Sequence, residues 1–203
     1  MSVSRYKYLR ILDLSDSTYE SLPESTGVKF PTLRTLTITK CGSLKSLPLD
    51  INHFPQLETL LVENCEYLDL TKRCDDLYSN LNLKAIRLHS LPQLSTLPSW
   101  LQESTNTLQS LLVVDCKNLK MLPEWVSTLT LLVSFRMVNC PKLMFLPNDF
   151  HRLTTLRYFR IEGCLELCRK CQPQVGEYWS KIYRINQIFI DQIEDLKEDK
   201  EEE

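Results

Sequence analysis

One unit, repeated in register, constrains this chain more than anything else in it. In LRTLTITKCGSLKSLP, Leu33 to Pro48, the apolar residues Leu33, Leu36, Ile38, Cys41, Leu44 and Leu47 fall at offsets 0, 3, 5, 8, 11 and 14. The unit recurs with starts at Leu9, Leu33, Leu57, Leu83, Leu108, Leu132 and Leu156, at intervals of 24, 24, 26, 25, 24 and 24 residues. Clear copies are Leu108, Leu111, Val113, Cys116, Leu119, Leu122, Pro123 and Leu132, Phe135, Met137, Cys140, Leu143, Leu146, Pro147. A unit this short cannot bury its own apolar side. Seven in register therefore imply one supersecondary element stacked on copies of itself.

The spacing is the leucine-rich-repeat pattern L-x-x-L-x-L-x-x-N/C-x-L. From offset 2 to offset 6 each unit alternates: Thr35, Thr37 and Thr39 face one way, Leu36 and Ile38 the other. Period two with β-branched residues predicts short strands near 11–15, 35–39, 59–63, 85–89, 110–114, 134–138 and 158–162. Strands that return to the same edge at each repeat must be parallel. The return path carries Leu-Pro at offsets 14 and 15, and proline disfavours α geometry at the residue before it and has no N–H to donate. The expected fold is an α/β-type repeat solenoid, a leucine-rich-repeat horseshoe with a parallel concave β-sheet and a mostly irregular or 3₁₀ convex side. Trp100 and Trp125, both at offset 17, are expected to cover the convex core while exposing an edge.

Two units depart from the pattern. The first has Leu22-Pro23 one place early and Ser17 in the cysteine slot, as a worn terminal unit would. The third replaces Leu-Pro by TKRCDDLYSNLN, residues 71–82, which should bulge outward. The expected organisation is a repeat array over 1–170, a C-terminal cap over 171–193 and an acidic, disordered tail over 194–203. The array needs such a cap, because its last strand otherwise leaves an open edge and an uncovered core. Trp179, Ile182, Ile185 and Ile188 should close that core, with residues 188–190 adding a final strand.

Bulk composition narrows the function classes. The chain is 43% hydrophobic and 25% charged, which suits a folded globular protein. It has no apolar run long enough for a membrane span, and MSVSRYKYLR is not a secretory signal, so a cytoplasmic setting is expected. Only four glycines occur and no phosphate-loop motif is present. Of 26 acids and 24 bases, eight acids and two lysines lie in residues 191–203, leaving a body of 18 acids and 22 bases. Nucleic acid is not an expected partner.

Eight cysteines are many, but Cys41, Cys65, Cys116, Cys140 and Cys164 all occupy offset 8. There each thiol points inward and can donate to a backbone carbonyl, which makes a reduced structural ladder the expectation. Cys164, Cys168 and Cys171 supply three thiols with no histidine nearby in sequence, one short of a zinc set, so no metal is expected. His53, His89 and His151 fall in different units. His89 and Glu63 could pair on the concave face, but no nucleophile shares their column. No catalytic residue and no cofactor are expected, and the chain is read as a non-enzyme.

The remaining surface of interest is the concave face. Its central column, offset 4, runs Asp13, Thr37, Leu61, Arg87, Leu112, Arg136 and Arg160. Leu61 and Leu112, expected to be exposed with Val114 and Val138 beside them, join arginines and Tyr158 in a composition that protein interfaces favour. Lys84 and Arg157 enlarge the positive area, and Glu162 and Asp115 offset part of it. The candidate protein-binding residues are therefore Leu61, Lys84, Arg87, Leu112, Val114, Arg136, Val138, Arg157, Tyr158 and Arg160. The acidic segment 194–203 is an additional candidate ligand for the basic end of this face.

The run of LxxLxLxxCxxLxxLP units, the pieces LPSWL and LPEWVSTLTLL and the ending CQPQVGEYWSKIYRINQIFID together resemble one family. It is the C-terminal leucine-rich-repeat domain of plant intracellular immune receptors that carry a coiled coil and a nucleotide-binding domain. The resemblance spans nearly the whole chain, and Cys171, Gly176, Glu177, Trp179, Ile182, Ile190 and Asp191 carry its more specific end. Tyr178 and Arg184 stand where the family often has an acid and a histidine. The resemblance implies recognition of a pathogen effector or a guarded host protein, and contact with the nucleotide-binding domain of a parent receptor that helps hold it inactive. No nucleotide-binding domain is present in this chain, so nucleotide switching is not expected within it. The alternative is an intracellular adaptor or scaffold, an F-box-like substrate receptor without an immune role.

Overall fold

The computed structural model describes residues 8–16, 30–47, 54–71 and 81–192. Eight short strands run in chain order: β1 Ile11–Ser15, β2 Thr35–Thr39, β3 Thr59–Glu63, β4 Ala85–His89, β5 Ser110–Val114, β6 Ser134–Val138, β7 Tyr158–Glu162 and β8 Gln187–Ile190. They form one parallel sheet in the order β1 to β8, each strand hydrogen-bonded to the next in sequence. The first seven coincide with the strands expected from the repeat. Pairing preserves offset, as in Leu36 opposite Leu60 and Leu111 opposite Phe135. A one-residue slip would turn every leucine into solvent, which is why the register is strict.

Offsets 3 and 5 point inward. From β2 to β7 these residues, Leu36 and Ile38 through Phe159 and Ile161, are at most 2% exposed. Phe135 stacks on Phe159 with centroids 5.7 Å apart, and Phe150 from the return path meets both rings edge-on at 5.3 and 5.7 Å. At the other end, Leu12 and Leu14 of β1 are only half-buried.

The sheet ends each unit with a left-handed residue at offset 7. Asp16, Lys40, Asn64, Ser90, Asp115 and Asn139 have φ between 50 and 53°, and Gly163 has φ 60°. Six of these backbone N–H groups, from Asp16 to Asn139, donate to the offset-6 carbonyl of the next strand; Asp115 to Val138 O at 2.9 Å is one. The turn swings offset 8 inward. There Cys41, Cys65, Cys116, Cys140 and Cys164 are buried, and each Sγ donates to the carbonyl two residues back at 3.3–3.5 Å.

The convex side is 3₁₀ or irregular as far as Arg152, with short segments at Ser99–Ser104, Glu124–Thr128 and Phe150–Arg152. Pro98 and Pro123 stand extended immediately before the first two, with ψ 138 and 150°. Proline thus sets the extended entry of these two segments. Trp100 lies deeper than a rim residue: it is 5% exposed and its Nε1–H donates to Leu70 O at 2.9 Å. Trp125 is half-buried. Ser104 is fully buried, donating to Leu81 O and accepting from Leu83 N, which fastens the path into β4.

The seventh unit has no Leu-Pro. Without the proline, the chain after Cys164 turns into α1, Leu165–Cys171, which buries Leu167, Cys168 and Cys171. A close approach follows, with Tyr178 N–H donating to Lys170 O at 2.7 Å. The short α2, Trp179–Ile182, buries Ile182 completely, and Trp179, Ile185, Ile188 and Ile190 pack half-buried against the core. β8 then pairs with β7. Leu22-Pro23, Ser17, most of the 71–82 insertion and the 194–203 tail lie outside the described residues. No helix among the described residues is long and apolar enough to cross a membrane.

Candidate functional site

Strand pairing sorts the solvent face of the sheet into three columns. Offset 4 runs Asp13, Thr37, Leu61, Arg87, Leu112, Arg136, Arg160 and Phe189. Offset 2 beside it ends in Ser110, Ser134, Tyr158 and Gln187. Offset 6 contains Glu63, His89, Val114, Val138 and Glu162. Neighbouring positions in a column lie about 4.8 Å apart. The face is therefore hydroxyl-rich toward β1 and β2, aliphatic and cationic over β3 to β6, and aromatic with arginine over β6 to β8.

Leu61 and Leu112 are half-buried rather than exposed, as are Val114 and Val138. Arg87 is exposed and forms no ion pair among the described residues. Arg136 extends toward β7, its guanidinium carbon 5.8 Å from the Tyr158 ring centroid, within cation–π range. Its Nε is sealed from water without an acceptor. Tyr158 in turn packs on Phe189, with centroids 5.2 Å apart and planes tilted by 34°. Phe189 is 50% exposed. It was absent from the expected site, although alternation through QIFI, with Ile188 and Ile190 facing the core, places Phe189 on this face.

The two central arginines differ. Arg160 donates from Nε to Glu162 Oε2 at 2.7 Å and also from Nη2 to the same oxygen. The Glu162 carboxylate raises the Arg160 pKa further, so this charge is already met. Among the described residues Arg136 has no carboxylate partner. Asp115 serves neither arginine: it accepts from Asn139 Nδ2 at 2.9 Å and contacts His89 Nε2 at 2.9 Å. The Asn139 amide, then His89, hold the Asp115 carboxyl below its usual range. On the other side of the His89 ring, Nδ1 lies 2.8 Å from Glu63 Oε1, a contact off the hydrogen-bond direction.

Lys84 and Arg157 belong to the strand entrances at offset 1, not to the centre of the face. Lys84 Nζ and Arg34 Nη1 both contact Glu58 Oε1, at 3.0 and 2.6 Å, and Lys84 followed by Arg34 lower the Glu58 pKa. Arg157 donates to Asn186 Oδ1 at 3.3 Å. The structure thus brings Leu112, Val114, Arg136, Val138, Tyr158 and Arg160 together with Phe189. It leaves Leu61 and Arg87 on the adjoining strands, and Lys84 and Arg157 at the rim. No group of three or more His, Cys, Asp and Glu suited to a metal ion occurs among the described residues.

This arrangement can hold an anionic or aromatic group against arginine and ring faces.

No family model matches the chain. It is 31% identical to a disease resistance protein of Arabidopsis thaliana over 121 residues, covering 57% of this chain and 12% of that protein. It is 32% identical over 124 residues to the SUPPRESSOR OF npr1-1, CONSTITUTIVE 1 protein of the same plant, covering 61% of this chain and 8% of that protein. The chain spans about a tenth of the length of these relatives. Among solved structures, the leucine-rich repeat domain of the type III effector XopL aligns with a TM-score of 0.46 at 22% identity, over 89% of this chain and 75% of that one. The chain is a leucine-rich-repeat solenoid, similar in sequence to plant disease-resistance proteins.

Proposed function

We propose that this chain is a protein-recognition module of a plant innate immune receptor. Its concave face senses a pathogen effector or a guarded host protein in the cytoplasm, and it helps hold the parent receptor inactive through that receptor's nucleotide-binding domain. One observation carries the reading: Leu112, Val114, Arg136, Val138, Tyr158 and Phe189 form a continuous aliphatic–arginine–aromatic surface on the sheet. Interface energy concentrates on arginine and large aromatics that are partly desolvated before the partner arrives. The sequence similarity to disease-resistance proteins supplies the biological setting. Residues 171–193 act as the cap that closes the array.

Alanine substitutions at Leu112, Arg136 and Tyr158, measured by calorimetry against a candidate effector or the parent receptor's nucleotide-binding domain, test it. Each should weaken binding by about 1–2 kcal/mol. Undiminished binding by all three variants removes the concave face from the function.

A further inference from the structure

Arg87, Arg136 and Phe189 occupy one column of the sheet at alternate strands, β4, β6 and β8. Two strand spacings separate each from the next, about 9.6 Å. Among the described residues neither Arg87 nor Arg136 meets a carboxylate, whereas Arg160 between Arg136 and Phe189 is closed off by Glu162. The Arg136 guanidinium is held over the Tyr158 ring, and its Nε is buried with no acceptor. The sealed Nε fixes the guanidinium in place, and its part-exposed remainder carries a positive charge that an arriving carboxylate can meet.

A polyproline II segment advances about 3.1 Å per residue with three residues per turn. Its side chains at i, i+3 and i+6 therefore share a face at steps of about 9.3 Å, close to the strand-pair spacing. An α-helix matches less well, since its same-face neighbours stand about 6 Å (i, i+4) or about 10.5 Å (i, i+7) apart along the axis, and the latter drifts by about 1.8 Å over two steps. A fully extended strand turns i and i+3 to opposite faces.

We propose that the partner of this face is an acidic segment in polyproline II conformation, with carboxylates at i and i+3 on Arg87 and Arg136 and an aromatic or large apolar residue at i+6 on Phe189. This rests on the concave face being a protein-recognition surface and names the chemistry it reads. The segment lies across the strands. Of the two residues between the acids, one leans over Val114 and Val138 and the other over Ser110 and Ser134. The expected pattern has one apolar and one small polar residue there. Leu112, half-buried beneath, meets the aliphatic stems of the two acids.

The probe is the capped peptide ELSELSF, labelled for fluorescence anisotropy and titrated into the full chain, with QLSQLSF as the uncharged control. Backbone NMR shifts report the location. Binding should perturb the amides of β4 to β8 and weaken with added salt. It should fall at least about tenfold for the glutamine peptide and for Arg136→Gln, the loss expected for one charge-assisted pair. Arg87→Gln provides a second variant at an exposed position outside the core, and Arg152→Gln on the convex side should leave binding unchanged. Equal binding of the two peptides, undiminished binding by both Arg87→Gln and Arg136→Gln, or no shift on β4 to β8 overturns the inference. The broader recognition reading falls separately, only when the Leu112, Arg136 and Tyr158 alanine variants bind a whole protein partner undiminished.

Discussion

Asn139 donates from Nδ2 to Asp115 Oδ1 at 2.9 Å, and both residues are left-handed, with φ 52 and 53°. They occupy the same turn of adjacent units, so a side-chain bond ties together two backbones that each sit in a sparsely populated conformation. Asn139→Gly loses the bond but relaxes the backbone. Asn139→Val loses the bond and adds β-branched strain at positive φ. In urea melts the valine variant should fall below the glycine variant by about 1–2 kcal/mol. Equal stability would mean that the left-handed turn does not govern this position.

The same carboxylate gives the fold a pH dependence. Asn139 and His89 hold the Asp115 pKa below its unfolded value, so its contribution is present above the ordinary carboxylate range near 4 and is lost as pH falls through the lowered folded value. The stability of the wild-type chain should therefore decline more steeply below about pH 4 than that of Asp115→Asn. Denaturant melts across an acid series compare the two slopes.

Three rungs of the offset-8 ladder, Cys65, Cys116 and Cys164, and Cys171 of α1 should be chemically silent until the array opens. Burial pushes the Cys65 thiol up to about 11 and the Cys116 thiol up to about 12 and also raises Cys171, while the hydrogen bond with the Cys140 thiol, then burial, raises Cys164. Thiolate is the reactive form, so these four cysteines should resist iodoacetamide at mildly alkaline pH and react in denaturant, as read by peptide mass spectrometry. Cys116→Asp places an unpaired charge in the same row and should cost on the order of 3–5 kcal/mol.

Gly176 is required by proximity. A Cβ there would stand 2.3 Å from Lys170 O and 2.6 Å from Gln172 N, both backbone atoms that cannot swing aside. Gly176→Ala should destabilise the chain by about 1–3 kcal/mol, and local hydrogen exchange should rise first in α1 and β8. A wild-type exchange pattern in the alanine variant would show that the contact is easily relieved.

The 24-residue period alone determined the seven strands, their parallel order, their register and the inward-facing leucines. Those properties follow from local alternation repeated at a fixed interval, and a chain can express them only one way. It also determined that offset 4 forms a column, and so which residues share the solvent face. Tertiary structure decided which charges in that column remain available. Arg136 and Arg160 occupy equivalent positions in sequence, but Glu162 meets one while Tyr158 underlies the other. Phe189 joined them because the path from β7 through α1 and α2 returns in register, which no local pattern specifies. The left-handed turn at offset 7 was likewise hidden, since Lys40 and Ser90 sit there beside Asp, Asn and Gly. The offset-6 carbonyl of the next strand dictates that conformation, and it exists only once the units have stacked.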